Sequence, residues 1–230
     1  MALDRYRFAR LIDSLQRSTF DDLAGALEDI APEMADDIVV SHRDQDELLI
    51  VGLGGEFEEL CAPVCAVLED HQFKLSINCF WPYRSFSPND SGIGQVVSDD
   101  QGRIIGEELI LLRGSYIEDP NSSFERSIIL TTIVCDPEPL MSIIRRTREL
   151  ADCRSMELRC VVATRDALDA LRQEVDIRPM AVVADIPTDY WGIEETLDQR
   201  PLRLVPRQSR WLVGRQFPEV RLDKTYGLRR

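Results

Sequence analysis

The chain has 230 residues, with 41 Asp and Glu against 27 Lys and Arg, a formal net charge of −14, and 44% apolar residues. That is enough apolar sequence to bury a substantial core, while the acidity argues against nucleic acid as a partner of the whole surface. No window reaches the apolar length of a membrane span, and Met1-Ala2-Leu3-Asp4-Arg5 lacks the apolar core of a secretion signal, so the expected setting is cytoplasmic, with no membrane contact.

Residues 4–29 predict helix. Tyr6, Phe8, Leu11, Ile12 and Leu15, then Leu23, Leu27 and Ile30, form an apolar stripe with a break at Ser18-Thr19. Pro32 and the acidic run Glu33 to Asp37 lead into Ile38-Val39-Val40, expected as a short strand. Leu48 to Leu53 reads as a buried strand ending in Gly54-Gly55, and Phe57, Leu60, Cys61, Val64, Val67 and Leu68 mark one face of the helix after it. Glycines between a strand and a helix leave backbone N–H groups to meet an anion. The plainer reading is a tight turn without ligand, since Glu56, Glu58 and Glu59 put negative charge at the same helix end.

Lys74 to Phe80 predicts another strand, with Trp81, Tyr83 and Arg84 beyond its carboxyl end, where they either stack a base or ribose or cover the core under a loop. Ser98 to Gly102, between Gln95-Val96-Val97 and Arg103-Ile104-Ile105, is a hairpin signature. Glu108 to Leu112 gives one more strand, and residues 116–125 a polar loop.

Ile128 to Val134 is an uncharged, β-branched run of the kind found in strands buried on both faces, and it stops at Asp136-Pro137. Leu140, Ile143, Ile144, Thr147 and Leu150 then recur at helical spacing. The unit repeats. Leu158 to Ala163 is a strand, Thr164 a helix cap before Ala167, Leu168 and Leu171, and Met180 to Ala184 a third buried strand ending at Asp185. Strands alternating with amphipathic helices imply an α/β fold: a mostly parallel sheet with flanking helices, here with an inserted β-hairpin hood and an N-terminal helical segment. Ligands of such sheets bind outside the carboxyl ends of the strands, which draws attention to Asp136, Thr164 and Asp185. Residues 185–198, with Tyr190 and Trp191, form either a lid or a packed loop.

The six cysteines sit mostly within apolar patterns and read as buried thiols. With only two histidines and no second cysteine pair, no metal site is expected. There is no Ser-His-acid set and no Gly-Lys-Ser/Thr phosphate loop. From Arg200 onward nine Arg or Lys face only Glu219 and Asp223. Such a tail folds back on the acidic body or on a neighbouring subunit; the other reading is phosphate or nucleic acid bound by the tail alone. The expected organisation is a helical segment over 1–37, an α/β domain over 38–199 and a basic tail over 200–230.

From Ile50-Val51-Gly52-Leu53-Gly54-Gly55 to the Asp136-Pro137 strand end and the Ala181-Val182-Val183-Ala184-Asp185 strand, the order of parts resembles the type I phosphoribosyltransferases, most like the uracil phosphoribosyltransferase branch. The family's diagnostic loop carries acidic residues and then Thr-Gly-Gly-Thr or a close variant. Here Cys135 to Ser142 stands at that place: Asp136 and Pro137 match, Glu138 supplies a second carboxylate, and the Gly-Gly-Thr part is absent. The resemblance implies the fold with a degenerate phosphate cradle, used as a binding, regulatory or assembly subunit with a protein partner or as a homo-oligomer. The alternative is an active divergent phosphoribosyltransferase, or a hydrolase of nucleotides or ribose phosphates. In that case Asp136 and Glu138 are the catalytic residues holding the ribose or Mg²⁺, Gly54 and Gly55 meet the diphosphate, and Tyr83, Arg84 and Asp185 line the ligand.

Overall fold

The computed structural model describes residues 5–17, 19–42, 47–87, 95–98, 104–197 and 209–216. Two helices lead, α1 (Arg5–Arg17) and α2 (Phe20–Ser41). The expected strand at Ile38-Val39-Val40 is instead the last turn of α2. Leu27, Ile30, Ala31, Met34, Ala35 and Ile38 continue one buried helical stripe, and that packing overrides the β preference of the valines, leaving Val40 63% exposed.

The remaining strands are β1 (Glu47–Leu53), β2 (Lys74–Ser87), β3 (Gln95–Ser98), β4 (Ile104–Ile117), β5 (Ser123–Val134), β6 (Asp152–Thr164) and β7 (Asp176–Val183). A wide helical turn, Phe57–Cys61, runs into α3 (Ala62–Asp70), and α4 (Glu138–Leu150) and α5 (Arg165–Leu171) connect β5, β6 and β7. Two short helices follow, α6 (Tyr190–Leu197) and α7 (Arg210–Gln216).

Three expectations are corrected at the strand ends. Trp81 to Phe86 does not leave the sheet: β2 runs on to Ser87, antiparallel to β4, with the register slipping between Trp81 and Pro82, where proline is tolerated. Tyr116 and Ile117 belong to β4, and the polar connection shrinks to a tight turn in which Asp119 and Asn121 take positive φ. Finally, β7 is a partly exposed edge strand rather than a buried one. The hairpin expected around residues 98–102 is present as the β3/β4 pair, although 99–103 themselves lie outside the described residues.

The sheet order is β3-β4-β2-β1-β5-β6-β7, with β2, β1, β5, β6 and β7 parallel and β3 and β4 antiparallel additions. One face packs against α1, α2, α3 and parts of α6 and α7, the other against α4 and α5. From β1 the chain first builds outward to β2 and then returns to place β5 on the opposite side. The carboxyl ends of β1 and β5 therefore flank the topological switch point, the crevice where open α/β sheets bind ligands. No described helix is long and apolar enough to cross a membrane.

The described part of the basic tail does fold onto the acidic body. The Arg215 guanidinium donates to Glu118 at 2.8 and 3.0 Å, to Glu69 and to the Leu75 carbonyl, and lies over the Trp211 ring. Trp211 meets Phe57, and Ser209 donates to Glu58. The other basic residues of the tail except Arg210, and with them the nucleic-acid reading, lie outside the described residues.

Candidate functional site

The crevice is lined by the turn after β1, the start of β2's extension, the loop after β5, and α6. In the turn every backbone donor is already used. Gly54 N–H donates to the Phe80 carbonyl at 2.7 Å, Gly55 N–H to the Tyr190 hydroxyl at 3.3 Å, and Glu56 N–H to the Leu53 carbonyl at 3.2 Å. The glycines are needed for close approach. A Cβ on Gly54 would fall inside the Trp81 indole, and one on Gly55 would lie 2.7 Å from Glu194 Cγ and 2.9 Å from the Tyr190 hydroxyl. Trp81 and Tyr190 are both buried, so the turn is roofed by the chain itself. Gly54→Ala is therefore expected to lower stability by about 1–3 kcal/mol through overpacking. The companion change Trp81→Phe should recover part of that loss, as read from urea denaturation midpoints.

The loop after β5 is equally self-contained. Only Cys135, Asp136 and Pro137 separate the strand from α4. Asp136 Oδ1 accepts from the Glu138 N–H at 3.1 Å, so its carboxylate already occupies the positive end of the helix. Pro137 and Pro139 have no N–H, and the Met141 N–H bonds the Pro137 carbonyl. The Cys135 thiol donates weakly to the Thr188 carbonyl, and burial, then Asp189 and Asp136, push its pKa up.

The remaining sequence-derived candidates are spread along the edge. Glu138 is exposed at the start of α4. Asp185 lies past β7, two strands from β5, with its carboxylate turned onto the Ile186 N–H at 2.9 Å. Tyr83 is half-buried on β2, opposite Leu111 and beyond the register slip. Arg84 follows it on that strand, opposite Ile110, and its side chain lies outside the described residues. The structure thus brings Gly54, Gly55 and Asp136 to adjacent strand ends and leaves Asp185 apart. Among the described residues no group of three or more His, Cys, Asp or Glu is placed to hold a metal ion.

The residue that sequence reasoning missed is Glu56. Its side chain is 0% exposed and turns back under the sheet to β5. Oε1 accepts from the Thr131 hydroxyl at 2.6 Å and from the Thr132 N–H at 3.1 Å, and Oε2 lies 3.2 Å from the same N–H. Thr132 is two residues beyond Leu130, the last β1 partner, so the carboxyl replaces a ladder partner that β1 has stopped providing. Burial raises the Glu56 pKa to about 7, against the lowering effect of the bonds from Thr131 and Thr132. The signal in the sequence was a polar Thr131-Thr132 pair inside an otherwise apolar strand.

No protein-family model matches the sequence, and no curated protein does. Solved structures do. Protein AQ2163 from Aquifex aeolicus superposes with a TM-score of 0.55 at 11% identity, over 86% of this chain and 97% of that one, and shares the fold. The chain also aligns with hypoxanthine phosphoribosyltransferase from Trypanosoma cruzi, with a TM-score of 0.45 at 15% identity over 90% of this chain and 94% of that one. A hypothetical protein from Neisseria gonorrhoeae with bound ppGpp aligns with a TM-score of 0.43 at 13% identity over 77% and 90% of the two chains. The α/β fold expected from the sequence is the one observed.

Proposed function

We propose that this chain uses a phosphoribosyltransferase-like fold as a binding or assembly subunit rather than as a transferase. The observation that supports this most directly is the state of the backbone donors at the switch point. A ribose phosphate or diphosphate is held in such a crevice by N–H groups that have no other partner. Here those of Gly54, Gly55 and Glu56 are all satisfied internally, and the Glu138 N–H that opens α4 is taken by Asp136. A phosphate would have to displace a buried tyrosine hydroxyl on one side and a carboxylate on the other. The partner is a protein, either a second copy or another chain. The N-terminal helices, the β3/β4 arm and the tail are the elements available to meet it.

A thermal-shift series with phosphoribosyl pyrophosphate, ribose 5-phosphate and common nucleotides, each with and without Mg²⁺, tests the reading. A ligand held at about a hundred times its dissociation constant adds roughly 2.7 kcal/mol, or about 5–10 °C for a chain of this size. No shift is expected with any of them. A Mg²⁺-dependent shift of that order, accompanied by turnover that Asp136→Asn abolishes, would restore the enzyme reading.

A further inference from the structure

We infer that α6 is a proton-dependent cover of the switch-point crevice, seated while the buried Glu56 carboxyl keeps its proton and released when it ionises. The inference rests on the closed crevice described above and adds a condition for its opening.

The cover is a short element held only by what it packs on. At eight residues, α6 is too short to be stable alone, and it is fixed by burying Tyr190, Ile193 and Leu197. Its first residue, Tyr190, accepts the Gly55 N–H, and its Glu194 stem lies against the same glycine. The next residue in the turn is Glu56. Among the described residues, the titratable groups that face Glu56 are Glu59 and Cys61 from its own segment, Cys160 from β6 and Tyr190 from α6, none of them cationic.

An ionised Glu56 in this seat has two donors, the Thr131 hydroxyl and the Thr132 N–H, meets no counter-charge among the described residues, and lacks the water that would otherwise hydrate it. Its neighbours below are strands of the central sheet and cannot move without unfolding. The layer above the glycine turn is a two-turn helix that can. Lifting α6 admits water to the carboxylate and frees the Gly55 N–H, which turns a closed crevice into one with an exposed donor. Burial places the Glu56 transition near neutral pH.

Hydrogen exchange of the full chain, followed by mass spectrometry from pH 5.5 to 8.5 with rates divided by their intrinsic values, tests this without any ligand. Protection of residues 190–197 should fall more than tenfold between pH 5.5 and 7 and level off above that, to well below that of α4. In Glu56→Gln it should be independent of pH. A flat wild-type profile, or an unchanged pH dependence in Glu56→Gln, would refute the cover. Should that variant fail to fold, the wild-type profile still decides. If α6 and α4 lose protection in parallel, only global unfolding senses Glu56 and the inference fails. Because no phosphate compound is used, failure here leaves the binding-subunit reading intact.

Discussion

Arg159→Ala is expected to lower the unfolding free energy by about 3–5 kcal/mol, a shift of roughly 6–20 °C in melting temperature for a chain of this length. Arg159 is 2% exposed on β6, and its guanidinium donates to Glu157, itself nearly fully buried, and to Asp37 of α2. Removing it leaves the Glu157 carboxylate in the core with Arg178, whose Nε lies 3.2 Å away but whose side chain is 45% exposed, and with His42 at 4.0 Å. His42 supplies no positive charge. The Arg126 guanidinium donates to its Nε2 at 2.7 Å, so Nδ1–H donates to the Ile38 carbonyl at 2.8 Å, and burial, reinforced by Arg126, holds its pKa down. The large cost is that of stranding one charge, and a paired replacement separates it from the worth of the bridge. Arg159→Met with Glu157→Gln should return to within about 1–2 kcal/mol of the wild type, because Asp37 and Arg178 are exposed enough for water to replace their partner. Urea denaturation of the two variants reads both numbers. If the single and double variants are equally unstable, the cost lies in lost packing rather than in the unpaired carboxylate.

That network also shows where the sequence stopped being readable. The central strands were legible because Leu48–Leu53, Ile128–Val134 and Leu158–Ala163 are apolar runs bounded by Gly, Asp-Pro or Thr, a local signal. The helix after Asp136 was legible for the same reason. The end of α2 was not: Ile38-Val39-Val40 carries a local β preference, and only the core beneath it and the Asp37–Arg159 contact reveal that the helix continues. The extension of β2 was hidden because its partner β4 lies beyond the hairpin, and a proline at the slip reads as a strand end. The site was hidden more deeply. A glutamate after Gly-Gly reads as a first-turn acid of the next helix. What makes Glu56 an internal group is a threonine pair 75 positions further on, and what closes the glycine turn is a tyrosine 135 positions away. Contacts of that separation leave no periodicity. The Asp136 position was found from its strand end alone, but its bond to the Glu138 N–H at the start of α4 depends on a loop shorter than the resemblance implied.

Glu56 supplies the second large effect. A carboxyl with a folded pKa of about 7 and an unfolded value near 4.5 holds its proton more tightly in the native chain. Its contribution is therefore fully present below pH 4.5, is lost as pH rises from there to 7, and is constant above that. At about 1.4 kcal/mol per pH unit, the loss approaches roughly 3 kcal/mol by pH 7–8. Glu56→Gln removes the titration. The amide brings a constant cost of about 1–3 kcal/mol for a donor with no assured acceptor, so the informative quantity is the change in the difference between variant and wild type, not its value at one pH. That difference should move in the variant's favour by up to about 3 kcal/mol between pH 4.5 and 8. A difference that stays constant across the range would mean that Glu56 is ionised in the native chain throughout, held by Thr131 and Thr132. An intermediate result is just as informative. If the chain can hydrate the carboxylate by lifting α6 at a cost below 3 kcal/mol, the native state takes that route, and the loss of stability levels off at the cost of opening. The height of the plateau then measures how firmly α6 is seated, and it should agree with the free energy obtained from the exchange of residues 190–197 in the Glu56→Gln variant.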